Sequence, residues 1–91
     1  MNAMIIDSKD NVAVAIEPIA AGDTVTYLRD GKPVSLKAAE DITIYHKIAT
    51  RDIQKGEPVV KYGEHIGLAA EDIPVGYHVH VHNVLNNREN L

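Results

Sequence analysis

An all-β domain is the fold class this sequence predicts, and three observations carry that expectation. The apolar residues are mostly β-branched, ten Val and ten Ile against five Leu with no Phe or Trp, and such side chains suit a pleated sheet better than a helix. Period-two alternation recurs, in Val12-Ala13-Val14-Ala15-Ile16 and again in His78-Val79-His80-Val81-His82, which is the spacing of a strand. A short pattern, Ala-x-x-x-Ile-x-x-Gly-x-x-Val, repeats along the chain. It runs from Ala15 through Ile19 and Gly22 to Val25, from Ala49 through Ile53 and Gly56 to Val59, and from Ala69 through Ile73 and Gly76 to Val79. A degenerate copy has Ala38, Ile42, Tyr45 in the glycine position, and Ile48. Each copy reads as the end of one strand, a corner whose glycine adopts a backbone conformation closed to most residues, and the start of the next strand.

The elements follow in order. Asn11 to Ile16 is a strand with Val12, Val14 and Ile16 on one face and the small Ala13 and Ala15 on the other, which places it centrally. Val25 and Tyr27 lead into Asp30-Gly31, a hairpin signal, and Val34 and Leu36 form the returning strand. A single helical turn fits Lys37 to Glu40, and Ile42, Ile44 and Ile48 suit a further strand. Val59 to Tyr62, Ile66 to Leu68 and Tyr77 to Val84 complete the set, with Tyr62-Gly63 a corner and the tyrosine rings expected in the core. Residues 1–85 make one domain, of which only about two-thirds of the unfolded chain's surface can be buried at this size; 86–91 read as a polar tail or linker stub.

Composition narrows the function. Net charge is −4 with nine Lys and Arg spread along 91 residues, so nucleic acid and anionic membranes are not expected partners. There is no basic n-region ahead of an apolar leader, and no apolar run approaches the roughly 18 residues of a membrane span; the expectation is a cytoplasmic protein. With no cysteine, any metal must be held by His and carboxylate.

Seven stretches carry a resemblance. Asp10-Asn11-Val12-Ala13-Val14-Ala15, His46-Lys47-Ile48-Ala49, Asp52-Ile53-Gln54-Lys55-Gly56, Val60-Lys61-Tyr62-Gly63, Ile66-Gly67, Asp72-Ile73 and His78-Val79-His80-Val81-His82-Asn83 resemble, in order and spacing, the N-terminal SAF domain of the altronate dehydratase family. That family includes galactarate dehydratase and the two-subunit sulfolactate sulfo-lyase. The resemblance implies a β-clip fold of short bent strands and a much larger catalytic subunit or domain as partner. It also implies that the chain is inactive alone. The implied reaction is dehydration of a sugar acid, altronate first, or elimination of sulfite from a 2-hydroxy-3-sulfonate. The family usually has Gly just before His46, where this chain has Tyr45.

Proton removal beside a carboxylate builds enediolate-like charge, so such chemistry calls for a divalent metal, a base and an acid. The resemblance points to iron(II), with manganese(II) as the alternative. His78, His80 and His82 are the candidate metal ligands. Same-face neighbours on a straight strand lie roughly 6.5 to 7 Å apart and the outer pair about 13 Å apart, so one ion would take two of them unless the strand bends. The competing reading is a solvated histidine face. His46 and Lys47 are the candidate catalytic groups, His46 as general acid or else metal ligand because imidazole is readily poised near neutral pH. Lys61 and Asn83 are the candidate substrate contacts, with Arg51 a weaker one; His65 reads as solvent-facing and Asp10-Asn11 as turn chemistry. The other class of function is a free-standing SAF module that binds a small ligand or self-assembles into a homo-oligomer without catalysis.

Overall fold

The computed structural model describes residues 1–86, so all but one residue of the expected polar tail, 86–91, lies outside the described residues. Among the described residues nine strands form in chain order: β1 (Ala3–Met4), β2 (Val12–Ala15), β3 (Thr24–Arg29), β4 (Lys32–Lys37), β5 (Lys47–Ala49), β6 (Pro58–Lys61), β7 (Glu64–Ala69), β8 (His78–Val79) and β9 (Val84–Leu85). All pairings are antiparallel, in sheets ordered β1-β2-β5-β8, β3-β4 and β6-β7-β9. The fold is all-β, and among the described residues there is no helix long and apolar enough to cross a membrane.

The four repeat copies pair off. Ile19 bridges Ile42 and Ile53 bridges Ile73. The third defined position of each copy donates its backbone N–H to the alanine carbonyl that opens the copy opposite: Gly22 to Ala38, Tyr45 to Ala15, Gly56 to Ala69 and Gly76 to Ala49. All four have positive φ, between 69° and 90°. The domain is therefore two similar halves. In the first, copies one and two flank hairpin β3-β4; in the second, copies three and four flank hairpin β6-β7.

Their apolar positions fill two cores. Ala15, Ile19, Val25, Ala38, Ile42 and Ile48 lie in the first, with Ala3, Ala13 and Tyr27; Ala49, Ile53, Val59, Ala69, Ile73 and Val79 lie in the second, with Val12, Ile66 and Val84. The central sheet separates them. β2 sends Ala13 and Ala15 into the first core and Val12 into the second, so the small face seen in the sequence is what allows close packing there.

Carboxylates brace the corners in a way the short pattern omitted. Asp41, Asp52 and Asp72 each precede the repeat isoleucine, and each accepts from the residue before the corner position of the opposite copy: Ala21, Val75 and Lys55, at 2.8 to 2.9 Å. Asp10 and Asn11 do more than turn chemistry. Asn11 receives Val60 N–H and donates to the Pro58 carbonyl, while Asp10 receives Ile6, Asp7 and Gly63 N–H, so the pair ties β2 to the second hairpin.

Several local expectations are corrected. Lys37 to Glu40 forms no helical turn, since Lys37 ends β4 and Ala38 is committed to the corner bonds. Ile42 makes an isolated bridge and Ile44 lies in the corner, so the strand starts at Lys47. Tyr62-Gly63 is a two-residue hairpin loop with both φ positive, like Asp30-Gly31, which matches the twist of the flanking strands. Its ring is exposed, and of the four tyrosines only Tyr27 is in the core. The strand expected from Tyr77 to Val84 is only His78–Val79, followed by a turn over 80–83 and then β9.

Candidate functional site

Asn83 makes that turn. Its side-chain oxygen accepts His80 N–H at 2.9 Å, its amide donates to the His78 carbonyl at 2.8 Å, and its own N–H donates to the His80 carbonyl. It is buried, and both ends of the side chain are thus occupied in folding the chain back immediately after Val79. Alternating His and Val gives no sign of this reversal; the signal was the Asn itself, a residue suited to bonding its own backbone in turns.

The bend gathers histidines that a straight strand would spread. β5 and β8 pair with Ile48 opposite His78 and Lys47 opposite Val79, and paired residues share a face. His46, two residues before Ile48, therefore lies on the face of His78. The rings of His46 and His80 stack with centroids 3.8 Å apart, those of His46 and His78 at 5.0 Å, and those of His78 and His80 at 5.6 Å. Nδ1 of His46 and Nε2 of His78 are 2.8 Å apart in a hydrogen bond. One ligand nitrogen from each of His46, His78 and His80 lies within 4.8 Å of the others. His82 is exposed and tilts against His78, with centroids 5.0 Å apart, outside that trio.

Of the residues expected to serve substrate and catalysis, His46 joins the trio and Asn83 makes its turn, while the cations are dispersed. Lys47 is 1% exposed, and its register with Val14 and Val79 puts it on the opposite face from the trio. Lys61 ends β6, its ammonium 4.9 Å from the Tyr62 ring centroid. It is next in sequence to Val60, which bonds Asn11 at the end of β2 away from Ala15 and His46; that is about 13 Å of strand at roughly 3.3 Å per residue. Arg51 reaches Glu57 at 3.5 Å on the surface, and His65 is exposed as expected.

Glu40 was missed. Its carboxylate accepts His78 N–H at 2.9 Å, and it lines a cleft of about 390 Å³ with Glu71, Asp72, Tyr77, His82 and Asn83. Nothing in the alternation points to it, because it reaches β8 from the first half of the chain. Burial, then the neighbouring imidazoles of His82, His46 and His80, push the His78 pKa down to about 4, against an opposing pull from Glu40. His78 is therefore neutral at pH 7 and has a lone pair to offer.

Three imidazoles at this separation suit a divalent ion of the borderline kind that takes nitrogen ligands. Loading requires the proton shared by His46 and His78 to leave and the rings to turn from their stack. The adjoining cleft is acidic, so an anionic substrate would need its countercharge from outside this domain.

Comparison with known proteins places the chain. The family model described as altronate/galactarate dehydratase SAF domain matches residues 1–87. The chain is 43% identical over all 91 residues to the altronate dehydratase of Escherichia coli (strain K12), covering 18% of that enzyme, and 37% identical over 86 residues to that of Bacillus subtilis (strain 168), covering 16%. It is also 35% identical over 88 residues to the (2R)-sulfolactate sulfo-lyase subunit alpha of Chromohalobacter salexigens, covering 94% of that subunit. The chain thus spans less than a fifth of the altronate dehydratases it matches and nearly all of the sulfo-lyase subunit.

Proposed function

The chain belongs to the altronate/galactarate dehydratase SAF domain family, and from that premise we propose that it is the small component of a metal-dependent hydro-lyase acting on a sugar acid, altronate foremost. The observation that carries this reading is the convergence of His46, His78 and His80 in a domain that, in its altronate dehydratase relatives, is a minor part of a larger enzyme.

His46, His78 and His80 would hold a divalent ion, iron(II) or manganese(II), and such an ion supplies positive charge to a substrate carboxylate and neighbouring hydroxyl. Glu40 fixes the His78 backbone and Asn83 fixes the turn that brings up His80, so both position ligands rather than touch substrate. His82 and Tyr77 border the acidic cleft beside the trio. The cations that hold the substrate carboxylate, and the base or acid that completes proton transfer, come from the large catalytic partner. A second reading is favoured by one observation, the 94% coverage of a sulfo-lyase subunit: the same small component serving elimination of sulfite from sulfolactate.

The test is to produce the chain with its large catalytic partner and assay dehydration of altronate and galactarate, and sulfite release from sulfolactate, with and without added iron(II) or manganese(II). We expect metal-dependent dehydration that is lost, together with bound metal, in His46→Ala and His80→Ala. Full activity and metal content in both variants would refute the site, and no association with any such partner would refute the function.

A further inference from the structure

Tyr45 stands where the other three repeat copies have Gly22, Gly56 and Gly76. It makes the same corner hydrogen bond, to the Ala15 carbonyl at 2.7 Å, and it adopts φ of 69° to do so. A side chain in that region is strained, and glycine would relieve the strain. Burial does not compensate, because Tyr45 is 69% exposed. A ring held at an unfavourable φ and mostly presented to solvent gains little from burial within this domain.

Its surroundings say where it points functionally. Tyr45 adjoins His46, Tyr77 adjoins His78, and Val81 lies between His80 and His82. Tyr77 is 41% and Val81 59% exposed. The strands and turn that carry the histidine trio therefore also carry three exposed apolar side chains, of which Tyr77 lines the cleft whose carboxylates belong to Glu40, Glu71 and Asp72. Tyrosine anchors with a polar rim are what protein interfaces use.

Resting on the reading above, we propose that Tyr45, Tyr77 and Val81 form the docking surface for the large catalytic part of the enzyme, with Tyr45 as its anchor. The occupant follows from the comparisons: the altronate dehydratases carry more than four-fifths of their length outside this region, and the sulfo-lyase relative is by name a subunit. A partner seated there covers the histidine trio and brings its own cations against the acidic cleft.

The experiment produces this chain and the large catalytic partner as two chains and measures their association by calorimetry, alongside cobalt(II) binding and thermal unfolding of the small chain. Tyr45→Gly is expected to weaken association at least tenfold while cobalt binding stays unchanged and the melting temperature holds or rises. The triple variant Tyr45→Gly, Tyr77→Ser, Val81→Ser is expected to abolish association. Leu28→Ser, at an exposed apolar residue on the β3-β4 hairpin, serves as control and is expected to bind as tightly as the parent. Undiminished association of the triple variant overturns the proposal, as does a Tyr45→Gly variant that associates normally but has a raised KM, which would make Tyr45 a substrate contact. Loss of self-association instead of partner binding also overturns it. Failure of the parent chain to bind the partner at all would instead remove the functional reading on which the proposal rests.

Discussion

The corners at Gly76 and Tyr45 make equivalent hydrogen bonds in the two halves of the domain, yet one is closed to any side chain and the other displays an aromatic ring. A Cβ at Gly76 would sit 2.3 Å from the Lys37 carbonyl oxygen, because the corner of the second half is pressed against the end of β4 in the first. Gly22 and Gly56 share the positive φ but have nothing within 4 Å. One backbone geometry thus serves three ends: a joint between halves at Gly76, plain corners at Gly22 and Gly56, and an exposed anchor at Tyr45. The hydrogen-bonded corner is the demand of the fold; what stands at its apex is decided by what lies outside it.

The largest effect expected from disturbing this comparison is at the joint. Gly76→Ala should cost about 4 kcal/mol in urea unfolding, from a backbone clash added to an unfavourable φ; a loss below about 1 kcal/mol would show that the halves are not pressed together there. Asn83→Ala comes next, at about 2 kcal/mol, because it leaves turn groups of His78 and His80 unpaired. It should also weaken metal binding by the trio some 10- to 100-fold, as loss of ligand support does, and unchanged affinity by calorimetry would place the organisation of the trio elsewhere. Gly22→Ala and Gly56→Ala should each cost only about 1 kcal/mol, and Tyr45→Gly should return a similar amount with opposite sign. Equal losses at Gly56 and Gly76 would erase the distinction between corner and joint.

A separate effect is a pH dependence. The folded state holds the His78 pKa at about 4 against an ordinary value of 6.5, so between these values the unfolded chain binds a proton that the folded chain does not. Stability is then fully present above about pH 6.5 and declines as pH falls toward 4. His78→Gln should flatten the decline through that window in pH-dependent unfolding; a decline of the same steepness would assign it to other groups.

Much of this was legible in the sequence because the repeat is local. Its alanines, isoleucines and glycines mark strand ends and corners within a dozen residues, and Asp30-Gly31 names its own hairpin. The pairing of copies was not legible, because nothing within a copy says which other copy it faces. The aspartates before Ile42, Ile53 and Ile73 were a readable sign that something opposite must donate to them. At the site, period two correctly put histidines on one face, but a straight strand would have separated them, and only the Asn83 turn and the register of β5 with β8 bring His46, His78 and His80 together. Glu40 arrives from 38 residues away, so only the tertiary structure could supply it. Tyr45 and Tyr62 were misjudged because ring size was weighed without the φ of the corner that carries the ring.

His46 and His78 are 32 residues apart and belong to different halves. An ion seated among the three imidazoles would act on this chain as a removable cross-link does, restricting the separated state far more than the docked one. Binding would then slow hydrogen exchange at the β5-β8 pairing and raise the unfolding temperature with the logarithm of the free ion concentration above its Kd. Occupancy of the site and closure of the two halves become one equilibrium, in which neither half alone holds all three ligands.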